Sequence, residues 1–321
     1  MPLRDWLLRG CYVLSKFDNV IWLIGDGRSG TTWAASLINH HGCYRELFEP
    51  FNPFLVKKAA FLIPHQYQAQ ASANNLLEEV AGEIFKGKYI ERGVERDNSL
   101  KRYSGLLIKD VSANLFAYWI TKKYAQVNVV LILRHPFAVA LSKAKKPNWL
   151  WGDDPMMLWN QPKLREDYLR PFEELIFNTV AKEDYILNQV LIWCIINYIP
   201  LKQFSTDKLH VLFYEELYKQ PDEEIGKVER FVTLNTNLKV SIASEIIAKP
   251  SRVSGDQSNL LAGTSPLTSW KEEISPQQAQ QGREIMAEFG LAELYDKDGI
   301  PNKSVVSAIM SKTKEKATVV G

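Results

Sequence analysis

Apolar residues along this chain come in two rhythms. Short runs rich in Val, Ile and Leu stand at Val20–Ile24, Leu106–Ile108, Val127–Leu133 and His210–Phe213. Continuous apolar runs of this length fit strands buried on both faces of a parallel sheet. Between them the apolar positions recur at helical spacing. Trp33, Ala34, Leu37 and Ile38 follow the first run, with Gly42 as a stop. Ser112 is expected to cap a helix carrying Leu115, Phe116, Trp119 and Ile120. Pro136 and Pro221 each suit a first helical position, and Asp222, Glu223 and Glu224 favour the positive end of the second of these helices. The alternation predicts an α/β fold, a doubly wound three-layer core with a central parallel β-sheet flanked by helices.

The pattern fails in two places. Between Lys143 and Thr179 stand Pro147, Pro155, Pro162 and Pro171, with Trp149, Trp151 and Trp159 among Asp153 and Asp154. This reads as an irregular insertion near 143–179, the kind of segment that serves as a lid or acceptor-binding loop. The tryptophans and aspartates form either an acceptor wall or ordinary buried packing. Residues 302–321 carry Lys303, Lys312, Lys314 and Lys316 in a weak pattern and are expected to be a mobile tail beyond a single domain of residues 1–301. The longest apolar run, Val190–Ile199, is broken by Asn197 and ended by Pro200. It falls short of the ~20 residues of a membrane-spanning helix. Met1–Phe17 sets Arg4 and Arg9 inside its apolar positions, which fits a packed helix better than an export signal.

Composition narrows the partners. The chain has 321 residues, 46% hydrophobic and 24% charged, enough for a substantial core. Its 39 basic and 37 acidic residues nearly cancel, so no global field points to nucleic acid, and an anionic ligand must be gripped by a local cluster. Cys11, Cys43 and Cys194 are too widely spaced for a zinc site or a disulfide framework, which suits the cytoplasm.

One local cluster stands out. The first apolar run leads into Gly25-Asp26-Gly27-Arg28-Ser29-Gly30-Thr31-Thr32-Trp33, and a helical pattern follows at once. Glycines that let the backbone turn, followed by a helix N-terminus, make a phosphate cradle. The spacing from Gly25 to Gly30 matches the start of a nucleoside triphosphate loop, yet Thr31 stands where that pattern requires lysine, and the cation comes earlier, at Arg28. A kinase also needs an acid near the end of a neighbouring strand to hold magnesium, whereas Val127–Leu133 ends in Arg134. Both departures point to a phosphate-bearing donor with neither triphosphate nor metal. An atypical P-loop kinase and a non-catalytic nucleotide-binding protein on the same fold are the rival readings.

Gly27-Arg28-Ser29-Gly30-Thr31-Thr32-Trp33 resembles the 5'-phosphosulfate loop of the sulfotransferase family, and Arg134-His135-Pro136 with Ser142 resembles that family's 3'-phosphate site. Phe213-Tyr214-Glu215-Glu216-Leu217 looks like its Tyr-Glu-x-Leu segment, and Trp270-Lys271 before Gly290-Leu291 looks like the closing segment of the carbohydrate branch. The resemblance implies a P-loop-like fold and the co-substrate 3'-phosphoadenosine 5'-phosphosulfate (PAPS), released as the 3',5'-bisphosphate PAP, with no metal. Its sulfuryl group would pass to a hydroxyl or amine of a small-molecule or carbohydrate acceptor. By the same resemblance Arg28, Ser29, Gly30, Thr31 and Thr32 hold the 5'-phosphate and the bridging oxygen, Arg134 and Ser142 read the 3'-phosphate, and Tyr214 lies near the adenine. Trp33 either stacks on the adenine, as in the cytosolic branch, or belongs to the core. Arg252 is a further candidate for the 3'-phosphate.

The acceptor needs a base, and Glu46, Glu49, His40, His41 and His135 are the candidates. Carbohydrate and tyrosyl-protein sulfotransferases carry a glutamate 21 residues beyond the loop arginine. That position is Glu49, followed by Pro50, so Glu49 is the expected base. Lys109-Asp110 either faces the acceptor or forms a supporting salt bridge. Lys143, Lys145 and Lys146 either extend the 3'-phosphate field or are solvated.

Overall fold

A computed structural model describes Phe17 and residues 19–99, 102–146, 152–233, 240–248 and 265–318, the side chains of 311–318 excepted. Five strands form one parallel sheet: β1 (Asn19–Gly25), β2 (Tyr44–Phe48), β3 (Gly105–Asp110), β4 (Val127–Leu133) and β5 (Leu209–Phe213), in the order β2-β3-β1-β4-β5. Four of them sit on the four apolar runs. The fifth, β2, has no such run, because Arg45 and Glu46 interrupt it. It pairs only with β3, and the buried Arg45 guanidinium is neutralised by Glu95 and donates to the carbonyls of Gly87 and Tyr89. A charged residue is tolerated in a buried strand when it is paired with an opposite charge and hydrogen-bonded, as Nη1 and Nη2 are here.

Side chains alternate across the sheet. Trp22, Ile24, Leu106, Ile108, Val129 and Leu131 join one core cluster, while Ile21, Leu23, Leu107, Val130 and Ile132 join another. The ten main helices are α1 (Thr31–Ile38), α2 (Asn75–Phe85), α3 (Ala117–Thr121), α4 (Pro136–Ala144), α5 (Glu173–Val180), α6 (Tyr185–Gln203), α7 (Tyr214–Lys219), α8 (Pro221–Thr233), α9 (Pro276–Glu288) and α10 (Lys303–Thr318). Helices α1 and α8 cover the second face. The apolar run Val190–Ile199 lies in α6, whose residues Val190–Ile196 have no exposed surface and which is packed against α3, α4, α5, α9 and α10. A helix enclosed on all sides is apolar on all sides. Among the described residues no helix is long and apolar enough to cross a membrane.

Three local expectations are corrected. The insertion is not irregular after residue 155: Met156–Trp159, Pro162–Leu164 and turns from Arg165 onward run into α5. Pro155, Pro162 and Pro171 stand at or beside the first positions of these turns, where a missing N–H costs nothing. Trp159 is buried edge-on against Phe177, and Trp149 and Trp151 lie outside the described residues. Lys303–Thr318, expected to carry too weak a pattern for an element, form α10, because Val306, Ile309 and Met310 make a buried stripe at helical spacing among the lysines. Ser112 caps nothing: the chain first dips into the core at Ala113 and Asn114, whose side chain donates to the Ile196 carbonyl, and α3 starts only at Ala117.

All five strands are parallel, so their carboxyl ends share one edge. From β1 the chain goes to β2 on one side and later to β4 on the other, so the loop after β1 lies at the switch point where ligands bind in such sheets.

Candidate functional site

The loop from Asp26 to Gly30 turns tightly at that edge. The Ser29 amide donates to the Asp26 carbonyl at 3.1 Å, and α1 begins at Thr31. Arg28 and Gly30 both have left-handed backbones, at φ 72° and 89°. Gly30 is pressed against Tyr214, at the start of α7: a Cβ there would lie 2.5 Å from the Tyr214 Cδ2. Residues from the ends of β1, β4 and β5 then meet. The Arg28 Nε donates to the Ser142 Oγ on α4 at 2.9 Å. Arg134, just past β4, donates to the carbonyls of Arg28 at 3.0 Å and Pro266 at 2.9 Å, with its guanidinium 4.4 Å over the Tyr214 ring.

Two arginines so close favour an anion between them. The Arg28 pKa is lowered, first by burial and then by the charge of Arg134, and a bound anion relieves both effects. The Ser29 Oγ and the Arg134 Nε are buried without a hydrogen-bond partner. Unsatisfied donors at a buried site are what a phosphate oxygen would satisfy. Thr31 and Thr32 are buried at the helix start. Trp33 is 4% exposed, sits edge-on to Tyr214 at 5.7 Å and donates to the Ile247 carbonyl at 3.3 Å, as part of the second core cluster. Arg252 lies outside the described residues.

Glu49 follows β2 with φ 49°, and its amide donates to the Lys109 carbonyl at 2.7 Å. Its carboxylate is ion-paired to Lys109, a buried residue of β3, and accepts from the Asn52 Nδ2 at 2.8 Å. Lys109 is therefore the salt-bridge partner of Glu49. Asp110 occupies the place where a triphosphate enzyme would keep a magnesium ligand, at the end of a strand beside β1. Its carboxyl is turned into the core instead, accepting from the Trp22 Nε1 at 3.1 Å and the Phe51 amide at 3.2 Å, and burial pushes its pKa up to about 7.

The other base candidates sit differently. The Glu46 amide is bound to the Asn98 side chain at 2.9 Å. His40 lies within hydrogen-bond distance of the Leu37 carbonyl at the end of α1, with its ring against His41. His135 stacks on Trp270 at 3.9 Å, and burial, followed by the charge of Lys271, lowers its pKa to about 3. It is a neutral packing group.

The sequence reading missed one part of the site. Asp26, inside the anion loop, is buried and accepts from the Lys143 Nζ at 2.7 and 2.8 Å. Lys143 also donates to the Gln189 Oε1 on α6 at 2.9 Å, and the Gln189 Nε2 donates to the Gly152 carbonyl, where the insertion resumes, at 2.9 Å. The burial of His65 lowers its pKa to about 4, with Asp26 and Lys143 as its charged neighbours. Lys143 is thus neither solvated nor part of a phosphate field, while Lys145 reaches the exposed Glu273. An acid in an anion-binding loop was the available signal, since it demands a cation of its own. The sequence does not say that this cation stands on α4.

A family model described as the sulfotransferase domain matches residues 18–294. The chain belongs to the sulfotransferase family. Among curated proteins no sequence matches it. Among solved structures it is similar to a sulfotransferase from Alicyclobacillus acidocaldarius, at 10% identity and TM-score 0.43, covering 93% of this chain and 97% of that one. It is also similar to a mouse sulfotransferase complexed with PAP, at 14% identity and TM-score 0.41, covering 96% and 93%. A retinol dehydratase in complex with androsterone and PAP has 14% identity and TM-score 0.41, covering 89% and 85%. In this sulfotransferase the loop glycine has a steric role that can be tested. Gly30→Ala places a Cβ at a left-handed position, costing about 1–2 kcal/mol, and forces Tyr214 to move. Calorimetry with PAP should show at least about tenfold weaker binding, the equivalent of ~1.4 kcal/mol.

Proposed function

We propose that this sulfotransferase takes the sulfuryl group from PAPS and passes it to an acceptor hydroxyl or amine on a small molecule or carbohydrate, in a reducing compartment such as the cytoplasm. The observation that carries this reading is the contact of Arg28 with Ser142 and of Arg134 with Arg28, which joins two motifs far apart in sequence into one cationic site. A donor with two phosphates close together needs such a joined site, and the chain's near-neutral overall charge means that only a local cluster can hold it. Free Cys43 and Cys194 agree with the reducing compartment.

In this reading Arg28 and the Ser29, Gly30, Thr31 and Thr32 groups hold the 5'-phosphate, Arg134 and Ser142 hold the 3'-phosphate, and Tyr214, backed edge-on by the core residue Trp33, lies beside the adenine. With a hydroxyl acceptor, its oxygen attacks sulfur in line. The new S–O bond forms as the bond to the bridging oxygen breaks, and that electron pair goes to the phosphate, where Arg28 steadies the growing charge. Glu49 receives the acceptor's proton. The insertion near 143–179 forms the acceptor side.

The test is calorimetry with PAP in buffer containing a chelator. Wild-type protein should bind PAP without metal. Arg134→Ala should weaken binding at least about thirtyfold, since cutting one partner from a buried charge pair costs about 2 kcal/mol or more. Binding that is unchanged by the substitution, or a preference for magnesium-ATP, would overturn the reading.

A further inference from the structure

The segment just past Glu49 carries an exposed apolar face. From Phe54 to Ile63 the chain is anchored at every third residue, with Val56, Ala59 and Leu62 buried in the core and a 3₁₀ turn at Lys57–Ala59. Repeated three-residue turning hides one row of side chains and turns the others outward. The other seven residues, Phe54, Leu55, Lys57, Lys58, Ala60, Phe61 and Ile63, are all exposed. None is acidic. Seven large hydrophobic residues are exposed among the described ones, and four of them fall here: Phe54 at 56%, Leu55 at 55%, Phe61 at 37% and Ile63 at 45%. So dense a cluster is unlike the single exposed apolar residues of ordinary surfaces.

We propose that this face docks on an anionic lipid surface. The apolar side chains lie on a short run of turns and not in a groove, so they offer little shape for a protein partner to match. A bilayer interface accepts such side chains without matching their shape, and Lys57, exposed between them, complements an anionic headgroup. In neighbouring α2, Glu78 is paired with Lys123 and Glu83 with Lys58, so the charges left are Lys57 on the face itself and the exposed Glu79 on α2. The inference does not depend on the identity of the donor or acceptor.

Cosedimentation with phosphatidylcholine vesicles, with and without phosphatidylserine, tests it. The protein should pellet with the phosphatidylserine vesicles, and the binding should fall with added salt. The double variant Phe54→Ser/Phe61→Ser and the single variant Lys57→Glu should each bind at least about tenfold more weakly. Their thermal unfolding should match wild type, because all three side chains point outward. No binding to phosphatidylserine vesicles, or binding that survives both substitutions, overturns the proposal. A concentration-dependent dimer abolished by the same substitutions also overturns it and assigns the face to a second copy.

Discussion

Lys143→Met should cost about 3–5 kcal/mol of folding stability, because it leaves the Asp26 carboxylate buried without its cation. The same change strips the Gln189 Oε1 of a donor, so two acceptors are abandoned by one substitution. Denaturant unfolding measures the loss. Adding Asp26→Asn should restore much of the stability, since the second change removes the uncompensated charge. A single-variant loss below about 1 kcal/mol, the range of exposed pairs, would mean that water reaches the pair and that it does not fix the loop.

Glu49→Gln should lower turnover by about 10²- to 10⁴-fold while leaving PAP affinity as it was. The amide keeps the size and the oxygen of the carboxylate but cannot take up a proton. The readout is sulfuryl transfer from labelled PAPS to whichever acceptor a panel of sugars, phenols and amines returns. Because Lys109 and Asn52 each donate to a different oxygen of the carboxylate and the amide keeps only one acceptor, thermal unfolding of the variant is measured alongside, so that a loss of turnover is separated from a loss of folding. Unchanged turnover would remove Glu49 from the reaction and return the question to Glu46.

Most of the frame was legible in the sequence because buried parallel strands are apolar on both faces. β1, β3, β4 and β5 coincide with the four apolar runs to within a few residues. β2 escaped because its buried Arg45 is satisfied by groups from a distant stretch, Gly87 to Glu95, which no local pattern reveals. α10 escaped for a related reason: three apolar residues suffice for its stripe, and the lysines around them mask the period.

In the site, residues defined by local backbone chemistry were readable. The glycines of the loop and the proline at the first position of α4 announce their own geometry. Residues defined by a partner were not. Lys143 has the same appearance in sequence as Lys145, yet one is sealed against Asp26 and the other is open to water. The lowered pKa of His135 likewise follows from its burial and then from the charge of Lys271, which comes from a distant segment.

The tight fit of the Tyr214 ring against Gly30 has a consequence for variation among relatives. The two positions occupy one space, so they are not free to drift separately. A relative that gains a side chain in the loop must lose the ring just past β5, and the pair should be read as a single inherited character, even though positions 30 and 214 lie far apart in the sequence.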